Sequence, residues 1–424
     1  MITSWDLNNG AKLVVEKIPY LRSAAIGFFV KVGSRHEPKD LAGVSHFVEH
    51  MIFKGTDSRS AREIAESFEQ MGGQLNAFTS KEYTCVYGRT LDEDINEALK
   101  IIIDMLMNAQ MKEKDMEVEK EVVLEEINMY EDTPDELIHD VFNQQLWQNH
   151  AMGVSILGTL DSVANFDRDL VNEFYHQNYA PSNMIIAVAG NVDENKIRDY
   201  IEENLTESRM NIENQSGHVH PPQYVPFVHG LAKDTEQVQL CVGITGLSYY
   251  DDKRYTLNVL NSILGGGMGS RLFQSIREEL GLAYSVYSSH AAYSDTGSFS
   301  ILIGTSPNKV DKFFSALRRE IDGFLRFGVT EEEIIRTHKL MKSSMYLSLE
   351  SVINRMNRLG KSVLMYDKVV TPEEVIEKIM KVNGEKVQEL AKELLEQQPL
   401  SLAAIGNDEA LSLVSASFDK NWRN

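Results

Sequence analysis

Met184-Ile-Ile-Ala-Val-Ala-Gly190-Asn191 has a counterpart further along the chain, Leu402-Ala-Ala-Ile-Gly406-Asn407, and the two glycines stand 216 positions apart. A second pair of segments keeps nearly the same offset. Thr90–Met107 runs as a polar turn and then an amphipathic helical stretch with Ile95, Leu99, Ile102, Ile103 and Leu106 apolar. Thr305–Phe324 repeats it with Val310, Phe313, Phe314, Leu317 and Ile321, and the two threonines are 215 apart. A near-constant offset across separated segments marks a duplicated domain. The length agrees, since 424 residues exceed what one ordinary core fills. The expectation is a first domain over 1–213, a linker over 214–226 and a second domain over 227–424. The junction carries Gln215-Ser-Gly, His218-Val-His220 and Pro221-Pro222, a turn-forming composition. His218 and His220 read as an exposed linker pair rather than a metal site.

Within each half, strands alternate with helices in an α+β pattern, each domain a mostly antiparallel sheet packed with helices. In the first half, Lys12–Val15 and Ala24–Val32 read as strands, followed by a helix near Val44–Phe53. Ser60-Ala-Arg-Glu63 is a capping box that opens the next helix, and Gly72-Gly73 ends it. Gln74–Thr79 and Tyr83–Thr90 follow as strands rich in aromatic and β-branched residues. Long helices are expected over Asp94–Ala109 and Glu113–Tyr130, and Thr330-Glu-Glu-Glu333 caps the matching helix of the second half.

Bulk composition narrows the function. A net charge of −21 lacks the basic face that nucleic-acid binding requires. Met1–Ile18 alternates polar and apolar residues and does not read as a signal peptide, and the apolar runs are too short to span a bilayer. Cys85 and Cys241 form no thiolate cluster and read as small core residues, so a reducing, cytoplasmic compartment is expected.

The chemistry concentrates in His46-Phe-Val-Glu49-His50. Residues four apart on a helix lie about 40° apart around its axis, so both imidazoles can reach one ion from a single face. Glu49 lies near the same side, placed to act as a base without binding. Two neutral nitrogens and a carboxylate form a common catalytic zinc set, and this H-x-x-E-H order is the inverzincin one. The acidic run Glu117–Glu131 offers the third ligand. Val122, Val123 and Ile127 are expected on its buried side, and Glu119 and Glu126, two turns apart, share a face. Periodicity alone leaves both Glu125 and Glu126 open as the ligand.

With these residues in view, the chain resembles the pitrilysin and insulin-degrading-enzyme family of inverzincins. The likeness is greater to its half-length branch, the mitochondrial processing peptidases and their bacterial homologues. The resemblance implies a zinc endopeptidase with one Zn2+ per chain, held by His46, His50 and Glu126, with Glu49 as general base and Glu119 orienting the site. It implies that Gly72-Gly73-Gln-Leu-Asn76-Ala77-Phe78-Thr79 contains the strand (Asn76, Ala77, Phe78, Thr79) that binds a peptide along an open sheet edge. In the second half, Gly265-Gly-Gly-Met-Gly-Ser270-Arg271 precedes Arg277-Glu-Glu-Leu-Gly281-Leu-Ala-Tyr284. Arg277 and Tyr284 match the family's pair that contacts the substrate backbone and the developing oxyanion. One departure is visible: His150-Ala151-Met152-Gly153 stands where the family often has His-Pro-Leu-Gly.

The repeat offset adds an inference. Moving His46, Glu49 and His50 by 215 lands on Asn261, Leu264 and Gly265, and the third-ligand region maps near Met341–Ser344, without a carboxylate. Full-length relatives hold four such domains, with zinc in the first and the Arg/Tyr pair in the last. A half-length chain that carries both sets is therefore expected to work as a homodimer, with Arg277 and Tyr284 acting in trans. The competing expectation is a non-catalytic peptide-binding or assembly subunit of the same fold, but such members typically lose motif residues that are all present here.

Overall fold

The continuous apolar run Met184–Gly190 forms a strand buried along its whole length, and what covers each of its faces defines the fold. The computed structural model describes residues 1–206 and 220–422. His218 and the part of the expected junction before residue 220 lie outside the described residues.

The first sheet contains β1 (Ile2–Asp6), β2 (Lys12–Lys17), β3 (Ser23–Val30), β4 (Gln74–Thr79), β5 (Thr84–Leu91) and β6 (Met184–Gly190), in the order β1-β2-β6-β3-β5-β4. The second contains β7 (Val228–Ala232), β8 (Val238–Thr245), β9 (Ala283–Ala292), β10 (Gly297–Thr305) and β11 (Ser401–Gly406), in the order β7-β11-β8-β10-β9. Without β1 the two orders are the same. Each sheet has one parallel pair, β2 with β6 and β7 with β11, and its other ladders are antiparallel. The segments that repeat in sequence occupy matching places: β6 with β11, and β5 followed by helix Ile95–Asn108 with β10 followed by helix Val310–Phe327.

A strand with one wet face alternates apolar and polar residues, whereas one covered on both faces reads as a continuous apolar run. In β6, Met184, Ile186 and Val188 face a core built with helices such as Ile95–Asn108, while Ile185, Ala187 and Ala189 face a second cluster. That second cluster is completed by Val352, Met356, Leu359 and Val363 of helix Val352–Tyr366, drawn from the far half of the sequence. β11 shows the reciprocal arrangement. Leu402 and Ala404 face their own core, and Ala403 and Ile405 face Leu137, Ile138, Val141, Phe142 and Leu146 of helix Pro134–Leu146. Each half thus lends one helix to the other half's sheet.

The compact units therefore exchange segments relative to the contiguous halves 1–213 and 227–424. One unit comprises Met1–Asn128, 154–206 and Tyr346–Val370, and the other Met129–Gly153, His220–Met345 and 371–422. No helix among the described residues is long and apolar enough to cross a membrane. Cys85 and Cys241 are free and buried. One expectation is corrected: Val123 and Ile127 are buried, but Val122 is 46% exposed, because helix Glu113–Glu131 covers the core along a narrow stripe that Val122 misses.

Candidate metal centre

Helix Val44–Met51 is short, and its sequence divides cleanly between two sides. Val44, Phe47, Val48 and Met51 sink into the core of the first unit. His46 and His50 remain along the side that meets helix Glu113–Glu131, and Glu49 meets Thr79 of β4. The helix starts at Gly43, whose φ of +91° is the left-handed region. A Cβ there would stand 2.6 Å from the Leu157 carbonyl oxygen, so only glycine fits both the conformation and the space.

Three ligand atoms converge. Nε2 of His46 and Nε2 of His50 are 3.2 Å apart. Oε2 of Glu126 lies 3.8 Å from the first and 3.6 Å from the second. Among the described residues this is the one grouping of three histidine, cysteine or carboxylate side chains placed to share an ion. Two ligands about 2.0–2.1 Å from a tetrahedral centre stand about 3.4 Å apart, so these edges suit a single zinc-sized ion. The donor chemistry agrees. Burial, and then the neighbouring His50 charge, drive the His46 imidazole down to about 3, so it is neutral at ordinary pH. Two imidazole nitrogens and a carboxylate oxygen crowded this closely are an arrangement that a cation bound by their lone pairs relieves. The structure also separates the two candidate carboxylates: Glu126 faces the histidines half-buried, and Glu125 is exposed.

A second layer fixes this set. Nδ1 of His50 stands 2.7 Å from Oε1 of the buried Glu119, which leaves Nε2 as the nitrogen free for a metal. Burial lowers the His50 imidazole, but the bond to Glu119 and the charges of Glu119, Glu126 and Glu49 outweigh it, so the net direction is upward. Lys54 closes an ion pair on the other Glu119 oxygen. Burial alone would raise the Glu119 carboxyl; the His50 and Lys54 contacts hold it below the usual glutamate range. Glu49 stands outside the three-atom grouping, and its Oε2 accepts a 2.6 Å hydrogen bond from the Thr79 hydroxyl. Burial raises its carboxyl despite that bond.

Asn76, Ala77, Phe78 and Thr79 lie on β4, the outermost strand of the first sheet, which among the described residues pairs only with β5. The Asn76 side chain accepts from the Ala77 amide at 2.8 Å. Beside β4 runs a groove of about 610 Å³ lined by Phe53, Ile64, Phe68, Leu75, Tyr87 and Ile353. Sequence reasoning missed three contributors: Lys54, the tie between Thr79 and Glu49, and Glu37, whose carboxylate meets the start of the metal helix. Lys54 had a legible signal, standing one helical turn beyond His50. The other two join residues 30 and 6–8 positions apart, and no periodicity marks such contacts.

In the second unit, Arg277 lies in a π-helical segment, Phe273–Glu279, a form often found at functional sites. Its guanidinium sits 4.5 Å from the Phe273 ring centre and 4.9 Å from that of Tyr284, which is 83% exposed near the start of β9. The positions matching His46, Glu49 and His50 lie on helix Arg254–Gly265 as Asn261, Leu264 and Gly265. A Cβ on Gly265 would stand 2.3 Å from the Ser288 amide nitrogen. Strand β9 therefore packs against this helix where the first unit holds the His50 imidazole, and a histidine there would displace it.

Residues 12–160 match the family described as insulinase (Peptidase family M16), and residues 165–341 match the Peptidase M16 inactive domain. An uncharacterized zinc protease of Bacillus subtilis (strain 168), YmxG, is 41% identical over 417 residues, covering 98% of this chain and 99% of that one. An uncharacterized zinc protease of Streptomyces coelicolor is 37% identical, covering 94% and 88%. The fold is shared with a peptidase M16 inactive domain from Pseudomonas fluorescens, at TM-score 0.88 and 19% identity over 96% of this chain and 98% of that one. A protease from Helicobacter pylori shares it too, at TM-score 0.86 and 20% identity over 96% and 99%. The chain belongs to the insulinase family, Peptidase family M16, in its half-length branch.

Proposed function

We propose that this chain is a zinc-dependent endopeptidase that cleaves peptides or unfolded segments, working in the cytoplasm as a homodimer whose two chains enclose a chamber. The coarser part, a zinc protease, has the support of relatives that carry that name. The observation that carries the reading is the convergence of His46, His50 and Glu126 beside the uncoordinated carboxylate of Glu49. Zinc held by those three side chains, one ion per chain, would supply Lewis acidity and make water a stronger acid.

The chain's own groups account for the rest. Glu49 accepts a proton from the attacking water and delivers it to the leaving amine nitrogen. Glu119 holds the His50 ring in the tautomer that presents Nε2. The peptide adds to β4 as an extra strand, so main-chain hydrogen bonds give affinity, and the groove at Phe68 and Leu75 takes up side chains. Arg277 and Tyr284, by resemblance to the family, grip the substrate carbonyl and donate to the developing oxyanion. The homodimer is supported by the presence of both the metal set and this pair in one half-length chain.

Metal analysis beside cleavage of a quenched fluorescent peptide tests the proposal. Wild-type protein should bind zinc and cleave. Glu49→Gln should bind the same zinc and lose on the order of 10²–10⁴-fold in turnover. Zinc-free wild-type protein, or near-normal turnover by Glu49→Gln, would overturn it.

A further inference from the structure

The metal helix begins without a capping side chain of its own, since its N-cap is Gly43. A side chain cannot be placed there, because the backbone is left-handed and the Leu157 carbonyl fills the space. The first-turn amide groups of a helix still need acceptors. Glu37 supplies them from outside the helix: Oε2 accepts from the Gly43 amide at 2.7 Å and Oε1 from the Ser45 amide at 2.8 Å. Ser45 directly precedes the ligand His46. Both carboxylate oxygens are thus spent on the turn that presents the metal set.

The same segment is bonded on its other side to the turn that ends β4. The Ser34 amide donates to the Ser80 carbonyl at 3.1 Å, and the Arg35 amide to the Lys81 carbonyl at 2.8 Å. Arg35, almost fully buried, pairs with Glu82 at 2.8 Å. Residues 80–83 connect β4 to β5. One short stretch therefore touches both the edge strand and the metal helix. Burying a carboxylate is costly, and burial pushes Glu37 up to about 7 against the pull of its amide donors. A group kept at that cost, where no residue of the helix can replace it, has a local task.

We infer that Glu37 is a positioning residue: its two-pronged grip on Gly43 and Ser45 locks the first turn of the metal helix to the base of the β4 edge. The metal ligands and Glu49 are thereby held at a fixed angle to a peptide lying on that edge. The inference rests on the zinc-peptidase reading for its catalytic part only.

Glu37→Ala and the isosteric Glu37→Gln are compared with Glu63→Gln, which weakens the cap of another helix of the same unit, Ala61–Gln70. Amide hydrogen exchange, zinc competition against a chelator, kcat and KM on a quenched peptide, and the thermal midpoint are measured for each. In Glu37→Ala, exchange over residues 43–48 should rise, and zinc affinity and kcat should each fall about tenfold with KM little changed. Glu37→Gln, which keeps one oxygen acceptor, should fall between, and remains informative if the alanine variant fails to fold. Glu63→Gln should lose stability without moving zinc affinity or kcat. Wild-type exchange and zinc affinity in both Glu37 variants would overturn the inference. So would losses that merely track the thermal midpoint as in Glu63→Gln. If wild-type protein cleaves no peptide, the peptidase reading fails, while exchange and zinc affinity still decide the role of Glu37.

Discussion

The hydroxyl of Thr79, the last residue of the edge strand β4, donates to Oε2 of Glu49 at 2.6 Å and so joins the edge of the first sheet to the helix that carries His46 and His50. A hydrogen bond to a charged group contributes about 1.5–3 kcal/mol, and under the proposed mechanism Glu49 must keep its orientation while a proton moves. Thr79→Val retains the β-branched shape and removes the donor. Its kcat should fall about tenfold with zinc content unchanged, since each 1.4 kcal/mol is a factor of ten in rate. Saturation kinetics with metal analysis checks this; a kcat within twofold of wild type would remove Thr79 from the base's support.

Gly360 and Phe29 meet where helix Val352–Tyr366 crosses the first sheet. A Cβ on Gly360 would lie 2.0 Å from the Phe29 ring, and one on Gly27 would lie 2.4 Å from the Met356 sulfur. The lent helix approaches the strand closely only because both positions lack side chains. Gly360→Ala gains helix propensity, but ring and helix must part, and overpacking of this kind costs about 1–3 kcal/mol. Denaturant unfolding should show a lower midpoint for Gly360→Ala, whereas Gly323→Ala, on a helix with open space around it, should not be destabilised.

Much of this architecture was legible in the residues. The offset between Gly190 and Gly406 announced the duplication, and Ser60 with Glu63 and Gly72 bracketed a helix that runs over Ala61–Gln70. The spacing of His46 and His50 put both imidazoles on one face because helix geometry leaves no alternative. What lay hidden depended on long-range packing. Val352–Tyr366 reads as an ordinary amphipathic helix, and its apolar stripe does not say which half's sheet it covers. Glu125 and Glu126 could not be separated by period, since their difference is a rotation that only the packed Val123 and Ile127 set. Glu37 gave no signal because its partners are backbone amides, which every residue has.

Asp104 gives the first unit a pH-dependent element away from the candidate metal centre. Its Oδ2 accepts from Thr56 at 2.8 Å, Ser58 at 2.7 Å and Arg59 at 2.8 Å, and its Oδ1 from Asn108 at 2.9 Å. Burial alone would raise this carboxyl, but those bonds outweigh it and hold it below the usual aspartate range. A depressed folded-state value means that the contribution is present above the unfolded value, near 3.8, and is lost as pH falls through the lower folded one. Asp104→Asn should therefore be less stable than wild type at pH 7, by about 1 kcal/mol. The gap should narrow below about pH 4. Urea unfolding of both proteins from pH 7 to pH 3 measures it, and a gap that stays constant across that range would rule out the carboxylate as its source.

The proposed trans arrangement makes a quantitative prediction from symmetry. Let one variant be Glu49→Gln, with an intact Arg277/Tyr284 pair, and the other combine Arg277→Ala with Tyr284→Phe, with an intact metal set. Each homodimer should be nearly inactive alone. In a 1:1 mixture that has exchanged subunits, about half of the dimers are mixed. If each metal site is completed by the partner's pair, a mixed dimer contains one working site and one doubly defective one. Activity should then recover to roughly a quarter of wild type. If the pair serves the metal site of its own chain, no combination places a working pair beside a working base, and the mixture stays as inactive as its parts. Recovery measured against time after mixing also reports the exchange rate, and the mass of the mixed species, read by light scattering, must correspond to two chains for the count to apply.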